Sequence, residues 1–90
     1  MSDVLAHIDE ALDRVLRRQE QLLADPAARD RAARLAELYD AEARAWAHLF
    51  ELSTDRMIWR AALVAQLAAR RNATAWSHYA GAARRALVGV

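Results

Sequence analysis

Glu42 is the carboxylate with the strongest claim to chemistry in this sequence. It interrupts an otherwise apolar seam made of Ala32, Leu35, Leu38, Tyr39, Trp46, Leu49 and Phe50. A carboxyl drawn out of water holds its proton to higher pH and can act as an acid or a base. Two simpler arrangements also fit. Glu42 can pair with an arginine from another helix, or the seam can rotate to leave it at an edge. The other chemical groups do not form a constellation. His7, His48 and His78 fall on separate segments among charged neighbours, and there is no Cys. The Glu-x-x-His order of carboxylate metal bundles is absent. Ser2, Ser53 and Ser77 lack a strained nucleophile turn, and two glycines cannot build a phosphate loop. The expectation is therefore a protein that is not an enzyme, with no catalytic residue, no metal ligand set and no cofactor.

The arginines are more informative. All 13 basic residues are Arg, and Arg holds carboxylates and phosphates in two-point contacts. Residues 1–55 carry seven Arg and all 12 acids, for a net charge of −5. Residues 56–90 carry six Arg and no acid. Such segregation admits three readings. The basic segment can pair with carboxylates of its own chain, with those of a second chain, or with an outside anion. Arg56 and Arg60 share a helix face, four residues apart. Arg70-Arg71 and Arg84-Arg85 are 14 residues apart, so on one helix they form a stripe about 21 Å long. Trp59, Trp76, His78 and Tyr79 are interleaved with them, as suits stacking on unpaired bases. The same aromatics also suit a core or a protein interface. Residues 64–74 resemble the first helix and turn of a helix-turn-helix, with Ala68 and Asn72 correctly placed, but the signal is weak because Arg71 and His78 would occupy core positions.

Helices must position these groups. The 90 residues include 23 Ala but only two Gly and one Pro, a composition that favours helix almost throughout. Leu5, Ile8, Leu12, Val15, Gln19 and Leu22 are spaced 3-4-3-4-3, a heptad seam with one polar position, and predict a first helix over about 3–24. Asp25-Pro26 reads as a stop followed by a start, because Asp caps well and Pro suits a first helical position. A second helix is expected over about 26–52, folded back on the first as an antiparallel hairpin. Ser53-Thr54-Asp55 is the next cap signal. A third helix is expected over about 54–71. Asn72 and Thr74 offer a break, with a fourth helix over about 75–87. The alternative is one helix continuing to Leu87. In this last third the seam is built of Ala61, Ala65, Ala68, Ala75, Ala82 and Ala86, whose small side chains let backbones approach closely.

The expected fold is a single all-α domain, a bundle of three or four helices led by an antiparallel helical hairpin. A chain of this size buries only about 60–65% of its unfolded surface, so it gains from a partner. The expected function is a small structural or adaptor protein that forms a homo-oligomer or docks on a larger assembly. Its expected contacts are Leu5, Ile8, Leu12, Val15, Gln19, Leu22, Trp59 and Trp76. The alternative is a nucleic-acid or anion-binding module using Arg56, Arg60, Arg70, Arg71, Arg84 and Arg85. The N-terminus lacks the basic run and apolar stretch of a secretory leader. No apolar run approaches a membrane span, so a cytoplasmic location is expected.

Overall fold

An alanine-rich chain with few breakers folds as helix wherever caps allow, and three helices result. In a computed structural model, which describes residues 2–89, they are α1 (Ser2–Leu23), α2 (Arg31–Leu52) and α3 (Arg56–Val88). No strand occurs among the described residues, so the all-α expectation holds. The chain spans 53 × 19 × 16 Å. Its length is that of α3, whose 33 residues rise about 50 Å at 1.5 Å each.

α2 is the shared neighbour. It packs against both other helices, while α1 and α3 make no close backbone approach to each other. Val4, His7, Ile8 and Ala11 line one groove with Ala45 and His48, whereas Arg18 and Leu22 line another with Arg34 and Leu38. On the other side of α2, Phe50 stacks on Trp59, and Ala33 shares a groove with Ala80 and Ala83. The core is thin. Leu35 is the largest side chain that is fully buried, supported by Ile8, Leu12, Leu22 and the alanines Ala43, Ala62 and Ala69.

Two expected boundaries need correction. Helix α2 begins at Arg31 and not at Pro26. Asp25 and Pro26 instead build a turn in which the Asp25 carbonyl accepts from the Ala28 amide at 3.1 Å. Pro is as well suited to the second place of such a turn as to a first helical position, and the turn wins here. Asp30 then takes left-handed backbone angles (φ 52°, ψ 34°), which Asp tolerates better than most residues, and aims the chain into α2. Its carbonyl accepts the first helical bond, from Arg34 N at 2.9 Å.

The second correction is at Asn72. α3 runs through it without a break, so the expected separate helix over 75–87 is part of α3. An interior Asn costs a helix only about 0.7 kcal/mol relative to Ala. The packing of Ala69, Ala73 and Trp76 against α2 on either side outweighs that. The cap signal before α3 operates as expected. The Asp55 carboxylate accepts from Met57 N at 2.8 Å and Ile58 N at 3.3 Å, which satisfies two amides that the first turn leaves open.

Arg31, at the start of α2, ties the end of α1 to the body of α3. Its guanidinium donates to the carbonyls of Leu22 at 2.7 Å and Leu23 at 3.1 Å, the last turn of α1, where a cation is favoured. The same group lies 5.2 Å from the ring centre of Trp76 on α3.

Candidate interaction surface

Gln19 and Glu42 are each a polar interruption in an apolar seam, and the fold brings them together. Gln19 is 5% exposed. Its amide donates to Glu42 Oε1 at 2.9 Å and reaches the Leu38 carbonyl at 3.5 Å. Trp46, one turn further along α2, donates its indole N–H to the other Glu42 oxygen at 2.9 Å. Both carboxylate oxygens are thus held by neutral donors, and the arginine partner expected for Glu42 is not there. No buried side-chain polar atom among the described residues lacks a partner. Tyr39 sits half-buried beside this node. Burial pushes its phenol above the ordinary value, and the nearby Glu42 charge adds to the push. The node is closed and satisfied, so its geometry is that of a polar lock between α1 and α2.

The α1 seam is mostly occupied inside the chain. Ile8, Leu12, Gln19 and Leu22 are buried and Val15 is half-buried, while Leu5 is exposed. Trp59 stacks on Phe50 with ring centres 4.7 Å apart, and Trp76 is half-buried between Arg31 and Tyr79. Six of the eight expected contact residues are therefore buried or half-buried within the chain. Leu5 and part of Trp59 remain accessible.

Arg56, Arg60, Arg70, Arg71, Arg84 and Arg85 are all exposed along α3. Among the described residues the ion pairs are Asp13–Arg17 and Asp40–Arg44, each within one helix. No arginine of α3 reaches a carboxylate of α1 or α2 there, so the charge segregation is not neutralised within the fold. His78 and Arg85 share an open groove with Glu37 and Asp40, but without ion-pair contact. No group of three or more His or acidic side chains that could hold a metal occurs among the described residues.

The alanine seam expected along α3 is not the face that packs on α2. One side of this helix packs on α2 through Ala62 and Ala69, with Ala73, Trp76 and Ala80 half-buried. A second side, roughly a third of a turn around the helix from the first, carries Met57, Ala61, Val64, Ala68, Asn72, Ala75, Tyr79, Ala82 and Ala86, all exposed except the half-exposed Ala68. Their spacing averages about 3.6 residues, the α-helical period, so they form one straight stripe. It contains no charge, and its bulky members are open: Met57 is 74%, Val64 61% and Tyr79 63% exposed. Five of the six alanines expected to form the packing seam, Ala61, Ala68, Ala75, Ala82 and Ala86, lie on this open stripe, while α3 meets α2 through Ala62, Ala69, Ala73 and Ala80 instead.

At one end of the molecule Val4, Leu5, Leu49, Leu52 and Ile58 line a further apolar cleft. At the other end Leu87 and Val88 stand almost fully exposed. Compared with known proteins, the chain matches no family model, no curated protein and no solved structure. No helix among the described residues is long and apolar enough to cross a membrane.

Proposed function

We propose that this is a non-enzymatic helical building block or adaptor, an antiparallel α1–α2 hairpin extended by α3 into a bundle that a protein partner completes. Self-association or docking on a larger assembly, in the cytoplasm, is its role. The observation that carries this reading is surface. The chain exposes 6739 Å². A folded monomer of its 10.1 kDa mass is expected to expose about 5,300 Å². The elongated shape accounts for part of the difference. The rest is the outward face of α3 and the apolar ends, where large side chains stand in water.

Light scattering at low and high salt tests the proposal. A defined oligomer at both salt concentrations supports apolar assembly. A monomer at both, over a wide concentration range, removes self-association and leaves docking on a foreign protein.

A second reading rests on the unpaired arginines of α3. They suit an anion such as nucleic acid, and binding would then weaken steeply with salt as counterions are released. No binding of single-stranded or duplex nucleic acid at low salt removes that reading.

A further inference from the structure

Resting on the self-association reading, we infer that the outward face of α3 is covered by α3 of a second copy, running antiparallel about a two-fold axis between Arg71 and Asn72. The stripe is palindromic. An axis at that point places Met57 opposite the partner's Ala86, Ala61 opposite the partner's Ala82, Val64 opposite the partner's Tyr79, and Ala68 opposite the partner's Ala75. Every apolar position meets another one. At the extremes a large residue meets a small one, and nearest the axis alanine meets alanine. Small residues there let two backbones approach closely, within the 8–10 Å typical of packed helices.

The ends agree with the same register. It carries the partner's exposed Leu87 and Val88 to the level of Arg56 and Asp55, where the cleft lined by Leu52 and Ile58 opens. In this register Arg56, Arg60, Arg84 and Arg85 meet no arginine of the partner, and only Arg70 and Arg71 lie near their own copies at the axis, whereas a parallel pairing would set all six beside their copies.

A stable dimer buries about 600–1,000 Å² per partner. The pairing would cover the bulky members of this face, Met57, Val64 and Tyr79, which stand 74%, 61% and 63% exposed. The stripe itself carries no charge over eight helical turns, and Arg71, which this register sets opposite the partner's Asn72, lies at its edge and is exposed.

A charge swap tests the register. Ala68→Glu puts a carboxylate against the partner's Ala75, and Ala75→Arg puts a guanidinium against the partner's Ala68. Each alone should weaken the dimer, with Ala68→Glu raising the dissociation constant more than about tenfold, because an unpaired charge is buried. The double variant places opposite charges face to face twice and should recover most of the lost affinity. The two positions lie about 10 Å apart along one helix, too far to pair within a chain. Circular dichroism confirms that each variant is helical. A wild-type dimer insensitive to both single changes, or a double variant as weak as the singles, overturns the α3 pairing while self-association stands. A monomeric wild type overturns both.

Discussion

α1 and α3 flank the same helix, but they use it differently. α1 meets α2 through leucines and isoleucine, and these large side chains hold the two backbones apart. α3 meets α2 through alanines, and the backbones run close over much more of their length. The outward sides differ as well. α1 turns Asp9, Glu10, Asp13, Arg14 and Arg17 to water, and its exposed leucines lie at the edge of its seam. α3 turns a second apolar stripe to water and confines its charges to arginines beside it. A helix with one apolar face is satisfied by one neighbour, whereas a helix with two needs another. The difference separates a completed interface from an open one.

The largest expected effect lies on α2, which serves both neighbours. Leu35→Ala removes the largest fully buried side chain and should cost about 3 kcal/mol, a loss that urea unfolding followed by circular dichroism would measure. A loss below about 1 kcal/mol would mean that the packing around α2 closes over the gap.

Next comes the polar lock. Glu42→Ala leaves the Gln19 amide and the Trp46 indole without their acceptor, and should destabilise the chain by about 1–3 kcal/mol. Glu42→Gln should cost less, because one oxygen remains. The lock also predicts a pH dependence. Tyr39 is raised in the fold, so the folded state keeps a proton that the unfolded state releases. Its contribution is constant below the unfolded value of about 10 and is lost as pH rises through that value toward the folded one. In a Tyr79→Phe variant, the tyrosinate absorbance of Tyr39 should have its midpoint above about 10, and Glu42→Gln should bring that midpoint down.

Smaller effects belong to α3. Asp55→Ala removes an N-cap and should cost about 1 kcal/mol, again by urea unfolding. Asn72→Ala should have the opposite sign, adding up to about 0.7 kcal/mol through helix propensity. A loss of stability in Asn72→Ala would show that Asn72 makes a contact that outweighs its poor propensity.

The sequence displayed the one-sided helix better than the two-sided one. The 3-4 spacing from Leu5 to Leu22 marks the face that α1 buries, and Ser53–Asp55 marks the start of α3. The Gln19–Glu42 contact was visible only as two separate anomalies. Joining them required the true register of α1 on α2, which the Asp25–Asp30 connection sets. That connection was misread because Asp-Pro suits a turn and a helix start equally well. Asn72 was misread because local propensity there is weaker than packing. The outward stripe of α3 was hidden by alanine, which marks a buried face and an open one alike.

Disulfide trapping tests the central claim most directly, since the chain has no cysteine of its own. Ala68→Cys chains and Ala75→Cys chains would be mixed and oxidised, separately and together. A disulfide needs Cα atoms about 4.4–6.8 Å apart. Rapid cross-linking in the mixture, with little in either chain alone, is the result expected from two α3 helices antiparallel about Arg71 and Asn72. Equal cross-linking of each variant with itself, or none in the mixture, would contradict it.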